Sequence, residues 1–346
     1  MPESHRLPDI QNYQSDTNEK APGNASRKVA PLRTGSVKSN IMVLMEDNPA
    51  VQKSLTLHLA KNFRELLDMI KFEHTIFALP FALVGALGAT VGRVPWISYF
   101  WIAVAMVGAR TLAMTFNRLA DADLDAENPR TCTRALPAGR VKPWMAWLMV
   151  GASALVFGCA AARLGPLPAK LAPYAFVVLL GYSLTKRFLT WSHAVLGLAL
   201  GLAPVGAWIA ISGRVETPAL WLGLGVLAWT TGFDIIYALQ DRDFDIQKGL
   251  YSIPVEVGVR LALILSRICH IAAVLSWAVF LRETNATSYA WASLLVVGGI
   301  LWREQWVIRK GNLDKVDQAF FTINSMVGPV FFLGFLLHWM RLRGIA

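Results

Sequence analysis

Charged residues are scarce in this sequence. They make up 16% of its 346 residues, whereas 55% are hydrophobic, and an ordinary soluble domain carries about 25% charged residues. The mean hydropathy of +0.44 agrees with this deficit, which excludes an ordinary soluble domain. Apolar runs long enough to cross a hydrocarbon layer of about 30 Å recur along the chain. The composition therefore predicts an all-α, polytopic protein embedded in a lipid bilayer.

Cysteine is also scarce. The three cysteines, Cys132, Cys159 and Cys269, are odd in number, scattered, and without metal-ligand spacing. This pattern excludes a disulfide framework and predicts free thiols. The formal net charge is +10. In a membrane protein the positions of Lys and Arg in the loops indicate orientation, so this excess of positive charge does not predict a nucleic-acid partner.

A cleavable signal peptide is not expected, because the first apolar segment begins only near Phe72. Residues 1–45 are rich in Ser, Asn, Pro and charge, and we predict a disordered tail. Residues 46–70 carry apolar residues at helical spacing among charged ones, which predicts an amphipathic helix on the membrane surface. Residues 71–346 form the predicted transmembrane domain.

Nine transmembrane helices are predicted in that domain. They cover residues 72–92, 96–118, 144–163, 171–188, 193–212, 218–240, 259–281, 286–302 and 319–340. Lys and Arg number 12 in the loops on one side and 5 on the other, so the positive-inside rule assigns the first side to the cytoplasm. We expect an integral protein of a bacterial inner membrane.

Two acidic segments lie at the predicted cytoplasmic ends of the second and sixth spans. They are "NRLADADLD", from Asn117, and "YALQDRDFD", from Tyr237, and a shift of 120 positions superposes their carboxylates. Residues four apart share one helix face. One predicted stripe thus contains Asn117, Asp121 and Asp125, and the other contains Asp241 and Asp245.

These stripes favour a hard metal ion. Like charges at that spacing repel unless a cation lies between them, and Mg²⁺ is commonly held by one or two carboxylates together with substrate phosphates. Nearby basic residues could hold a diphosphate and stabilise its charge as it leaves. They are Arg130, Arg134, Lys186 and Arg187. The alternatives remain open: the acids could be solvated helix ends, and the basic residues could be ordinary topology-setting charges.

Arg110 lies inside the second predicted span, seven residues before Asn117. An ionisable group at membrane depth is a candidate functional residue. Asp234 occupies the matching depth in the sixth span, seven residues before Asp241. Arg110 therefore either faces a substrate pocket or is a buried structural partner of Asp234.

The motifs resemble those of the UbiA superfamily of intramembrane aromatic prenyltransferases. Its N-x-x-x-D-x-x-x-D motif is matched from Asn117 and its D-x-x-x-D motif from Asp241, while R-x-L-P-x-G and Y-x-x-x-K-R follow at Arg134 and Tyr182. The resemblance implies nine helices in a bundle around a central cavity, bound Mg²⁺, and a polyprenyl diphosphate as donor. It also assigns catalytic roles to the four aspartates, Asp121, Asp125, Asp241 and Asp245.

Within the superfamily, the local sequence resembles the 4-hydroxybenzoate polyprenyltransferase-like group. The implied reaction transfers a polyprenyl group to the ring of a hydroxylated aromatic acid in ubiquinone or menaquinone biosynthesis. Arg110, Asp234 and Tyr237 are then candidates for orienting this acceptor. Because Arg118 stands where the ubiquinone-type enzymes usually have Asp, the acceptor stays open, with 1,4-dihydroxy-6-naphthoate of the futalosine pathway as an alternative. A transporter of cations or anions is the alternative from another class.

Overall fold

The computed structural model describes residues 64–69, 78–90, 94–309, 316 and 322–345, which all belong to one unit, His58–Ala346. The predicted tail, residues 1–45, lies outside the described residues. So does most of the predicted surface helix, residues 46–70, of which residues 64–69 are described and are helical.

Every regular element in the described part of the chain is helical. The helices are α1 (Leu79–Gly88), α2 (Trp96–Ala120), α3 (Ala122–Glu127), α4 (Pro143–Leu164), α5 (Pro166–Thr185), α6 (Ser192–Ser212), α7 (Thr217–Ala238), α8 (Arg242–Lys248), α9 (Ile253–Glu283), α10 (Ser288–Val307) and α11 (Val327–Leu342). The all-α prediction is confirmed.

Seven helices of the described chain are long and apolar enough to cross a membrane. They are α2, α4, α5, α6, α7 with its continuation to Lys248, α9, and α11 with the preceding turn. Each of the nine predicted spans contains a helix, but the count of nine is not confirmed. Only 10 residues of α1 are described, and α10 ends in the polar sequence Arg303, Glu304 and Gln305, which lowers its hydropathy.

Helix α6 packs against α1, α5 and α7. Glycines permit close approach, because a Cβ placed on Gly201 of α6 would lie 2.7 Å from the carbonyl oxygen of Gly223 in α7. A Cβ on Gly85 of α1 would similarly lie 2.3 Å from the carbonyl oxygen of Pro204. Without a hydrophobic driving force between helices in lipid, small residues of this kind let backbones pack closely.

An aromatic cluster joins four helices in the core. Phe81 of α1 lies with its ring centroid 5.1 Å from Trp277 of α9, 5.4 Å from Trp229 of α7 and 5.7 Å from Phe331 of α11. All four side chains are essentially buried. Ring pairs at such separations add to the stabilisation from area burial, by about 0.5–1.5 kcal/mol each.

Candidate active site

The two acidic segments share one local structure. Helix α2 ends before Asp121, whose φ and ψ are −99° and 6°, and α3 follows. Asp241, with φ and ψ of −99° and 0°, likewise precedes α8. The sequence predicted a continuous helix here, whereas the structure breaks it at the matching aspartate of each segment. Backbone hydrogen bonds four residues apart continue through the first break, from Asp121 to Asn117 and from Asp125 to Asp121, so the stripe stays on one face.

Both segments line one polar cavity of about 710 Å³. The predicted residues in its wall are Asn117, Asp121, Asp125, Arg134, Lys186, Asp234, Tyr237 and Asp241. Arg187 and Asp245 do not line the wall, but they contact residues that do. The structure therefore brings both acidic stripes and the predicted diphosphate-binding cations to a single site.

Two of the predicted carboxylates are paired with predicted cations. Arg134 donates from one terminal nitrogen to both carboxylate oxygens of Asp125, at 2.6 and 2.7 Å. The Nζ of Lys186 lies 2.7 Å from Asp245 Oδ1, and the Asp245 side chain is 0% exposed. A buried charge is tolerated only when it is paired, and each of these carboxylates has a cation beside it.

Asp121 has a cation and an amide as neighbours. A terminal nitrogen of Arg187 lies 3.3 Å from its Oδ1, and Asn117 Nδ2 donates to its Oδ2 at 3.0 Å. Burial raises the pKa of the Asp121 carboxyl, and the positive charge of Arg187 opposes this rise. Additional positive charge in the cavity would favour the ionised carboxylate further.

Asp241 is held by Arg130, a predicted basic neighbour that was not assigned to the site, and by Asn128, which the sequence analysis did not name. Arg130 donates to Asp241 through Nε at 2.9 Å and through a terminal nitrogen, and Asn128 Nδ2 donates at 3.1 Å. Arg130 also donates to the hydroxyl of Tyr237 at 2.8 Å. Both residues lie in the loop between α3 and α4. Arg130 shares the basic cluster of Arg134, a signal that could have identified it, whereas nothing local marked Asn128.

His193 is a further residue that the sequence analysis missed. Its Nδ1 lies 2.6 Å from Asp234 Oδ2, and its Nε2 accepts a hydrogen bond from the backbone N–H of Ile253 at 3.4 Å. Because Nε2 accepts, Nδ1 carries the proton and donates to Asp234. The contact fixes one oxygen of Asp234 at the cavity wall.

Arg110 lines a second cavity. This cavity, of about 440 Å³, is lined almost entirely by apolar residues and shares Met114, Tyr182 and Leu196 with the polar cavity. The structure thus places Arg110 away from the wall that carries Asp234 and Tyr237. Asp234 is paired with His193.

The residues at the polar cavity fit a magnesium ion that shares its coordination with a substrate. The described residues contain no group of three or more His, Cys, Asp or Glu side chains arranged to hold a metal unaided. Oδ2 of Asp245 is nevertheless buried without a hydrogen bond, while Oδ1 has only the Lys186 ammonium beside it, and the metal-binding atoms of the stripes are all oxygens. Mg²⁺ prefers oxygen ligands and usually takes few from the protein, with phosphates supplying others.

Known proteins resemble this chain over most of its length. Residues 78–326 match the UbiA prenyltransferase family. A 4-hydroxybenzoate octaprenyltransferase of Albidiferax ferrireducens is 28% identical over 274 residues, which are 78% of this chain and 91% of that protein.

Two solved structures share the fold. The apo structure of a UbiA homolog from Aeropyrum pernix is 32% identical, with a TM-score of 0.71 over 77% of this chain and 98% of that one. A UbiA homolog from Archaeoglobus fulgidus bound to DMAPP and Mg²⁺ is 19% identical, with a TM-score of 0.62 over 80% and 99% of the two chains.

Proposed function

Because this chain belongs to the UbiA prenyltransferase family, we propose that it transfers a polyprenyl group from polyprenyl diphosphate to the ring of 4-hydroxybenzoate. The observation that carries this proposal is the polar cavity, because both stripes meet there and each of their aspartates pairs with a cation. The relatives named as 4-hydroxybenzoate octaprenyltransferases support the acceptor and a place in ubiquinone biosynthesis.

The two stripes would hold Mg²⁺ through Asn117, Asp121 and Asp125 on one side and Asp241 and Asp245 on the other. When bound, Mg²⁺ supplies positive charge that stabilises the departing diphosphate. The homolog bound to DMAPP and Mg²⁺ supports a divalent ion at such a site.

Three cations of the cavity would bind the diphosphate itself. Lys186, Arg187 and Arg134 each contact an aspartate of the stripes, so they lie where a metal-bound diphosphate would be placed. Charge-assisted hydrogen bonds from guanidinium and ammonium groups are the strong contacts that such a leaving group requires. They stabilise the negative charge that develops as the allylic C–O bond breaks.

The apolar cavity would receive the isoprenoid chain. It adjoins the polar cavity at Met114, Tyr182 and Leu196, so a chain whose diphosphate lies among the aspartates can continue into it. Apolar walls also exclude water, which would otherwise capture the allylic cation. The seven apolar helices and the family identify an integral membrane protein, and we propose a bacterial inner membrane with the polar cavity facing the cytoplasm.

The acceptor would lie against Asp234 and Tyr237. Both side chains line the polar cavity, and each has its position fixed, Asp234 by His193 and Tyr237 by Arg130. Arg110, which lines the adjoining apolar cavity, would orient the acceptor from that side. The ring carbon of the aromatic acid then attacks the cation formed from the polyprenyl group, and the proton on that carbon is lost to restore the aromatic ring.

Prenyl transfer in isolated membranes tests the proposal. Membranes containing the chain are supplied with a polyprenyl diphosphate, Mg²⁺, and either 4-hydroxybenzoate or 1,4-dihydroxy-6-naphthoate, beside an Asp121→Ala variant. Prenylated 4-hydroxybenzoate that is absent with the variant is expected. If only the naphthoate is prenylated, the proposed reaction stands but its acceptor is 1,4-dihydroxy-6-naphthoate. If no diphosphate is released with either acceptor, prenyl transfer is refuted and a transporter is favoured.

A further inference from the structure

Arg118 is a cation of the polar cavity that the proposed mechanism does not use. It lies in the last turn of α2 and lines the cavity wall. Its Nε donates a hydrogen bond to the backbone carbonyl of Met69 at 3.3 Å. This bond uses only Nε, so it holds one edge of the guanidinium and does not involve the two terminal nitrogens.

The other basic side chains of this cavity all have carboxylate partners. In each pair a side-chain nitrogen lies within 4.0 Å of a carboxylate oxygen. The pairs are Arg130 with Asp241, Arg134 with Asp125, Arg140 with Glu65, and Lys186 with Asp245. Arg118 has no such ion pair with any residue of the described chain. It is therefore the one cavity-lining cation, among the described residues, whose charge no protein carboxylate neutralises directly.

Each carboxylate that interacts electrostatically with Arg118 is already paired with another cation. Asp125 and Arg134 both interact with it electrostatically, with opposite signs, and these two residues already neutralise one another. Its other electrostatic neighbours are the phenols Tyr182 and Tyr237 and the Asp121 carboxylate, and Asp121 already lies beside Arg187. A guanidinium held in a partly desolvated wall without an anion is costly, so an anion that enters the cavity beside it would be bound.

We propose that Arg118 binds the carboxylate of the aromatic acceptor and so selects an acid over a neutral phenol. The inference rests on the proposed function and names a specificity determinant for it. The planar fork of arginine matches a carboxylate with two parallel hydrogen bonds. The neighbouring tyrosine rings offer faces and edges for an aromatic ring. The cations proposed for the diphosphate each pair with an aspartate of the stripes.

Acceptor discrimination tests the role of Arg118. The purified full chain is assayed with a polyprenyl diphosphate and Mg²⁺, using 4-hydroxybenzoate and its uncharged analogue 4-hydroxybenzamide. For Arg118→Gln we expect KM for the acid to rise about 10- to 100-fold, as for loss of a charged hydrogen bond, with KM for the amide within about twofold of wild type. Arg118→Lys should recover part of the preference for the acid.

Arg242→Gln is the matched control. Arg242 also donates from Nε to a backbone carbonyl, that of Pro254 at 2.9 Å, but it does not line the cavity. Its substitution should leave the ratio of acid to amide unchanged. An equal loss with both acceptors in Arg118→Gln would indicate a structural role, and a rise in KM for the polyprenyl diphosphate alone would indicate a diphosphate contact. Either result would overturn the proposal.

Calorimetric binding of the two acceptors separates this proposal from the proposed function. If the wild type transfers no prenyl group but binds 4-hydroxybenzoate at least tenfold more tightly than the amide, and Arg118→Gln loses that difference, the proposed function fails and the role of Arg118 stands. If the wild type transfers the prenyl group and Arg118→Gln still binds 4-hydroxybenzoate more tightly than the amide, the proposed function stands and the role of Arg118 is refuted. Absence of both transfer and binding refutes both.

Discussion

Substitution of Lys186 by methionine should destabilise the protein measurably. Lys186 lies 2.7 Å from Asp245, whose side chain is 0% exposed, while that of Lys186 is 36% exposed. Removing one partner of a fully buried pair costs about 3–5 kcal/mol. Because solvent reaches the lysine and screens part of this interaction, we expect a loss of about 1–3 kcal/mol in the free energy of unfolding. This corresponds to a fall in melting temperature of roughly 2–12 °C.

Thermal unfolding in detergent, followed by tryptophan fluorescence, measures the effect. The double variant Lys186→Met with Asp245→Asn removes both charges and should recover at least half of the loss. Lys170→Met, at an exposed position on α5, is the control for the substitution itself. Millimolar Mg²⁺ should stabilise the single variant more than the double variant, because an added cation can replace the ammonium beside Asp245. A single variant as stable as Lys170→Met would refute the reasoning.

Three further results are expected. Gly201→Ala should cost about 1–3 kcal/mol through overpacking against Gly223, whereas Gly206→Ala on the same helix meets no atom within 4 Å and should not destabilise; equal melting temperatures would contradict this. Arg130→Gln should strengthen the binding of Mn²⁺ in the absence of substrate, because the arginine no longer neutralises Asp241. The electron paramagnetic resonance signal of free Mn²⁺ measures this affinity, and an unchanged affinity would show that Arg130 does not compete with the metal for Asp241. EDTA should abolish prenyl transfer and added Mg²⁺ should restore it, while activity that survives chelation would exclude the proposed metal dependence.

The positions of the helices could be predicted because apolar length and helical spacing are properties of continuous sequence. The predicted span 96–118 corresponds to Trp96–Ala120, and the span 144–163 corresponds to Pro143–Leu164. The two aspartate stripes could be predicted to share one cavity because their residues are spaced four apart and lie at matching ends of two spans. The breaks at Asp121 and Asp241 were not predicted, because the neighbouring residues are all compatible with a continuous helix.

The partners of the site residues could not be predicted because they depend on which helices become neighbours. Arg130 and Asp241 are 111 residues apart, and His193 and Asp234 are 41 apart. Arg110 illustrates the same limit. Its position within a span marked it as a candidate, but whether it faced the aspartates or the apolar cavity was decided by the packing of α4, α5 and α6 around it.

The ion pairs of the site are divided unequally between the two halves of the chain. Asp121 and Asp125 are neutralised by Arg187 and Arg134, which come before residue 190, whereas Asp241 and Asp245 depend on Arg130 and Lys186 from that same first half. During synthesis from the N-terminus, the first stripe can be balanced as soon as its own helices are inserted. The second stripe is made later and pairs with Arg130 and Lys186, which belong to the part of the chain that is already inserted. A gene divided between α6 and α7 would therefore yield an N-terminal product with balanced acids and a C-terminal product that needs the other fragment.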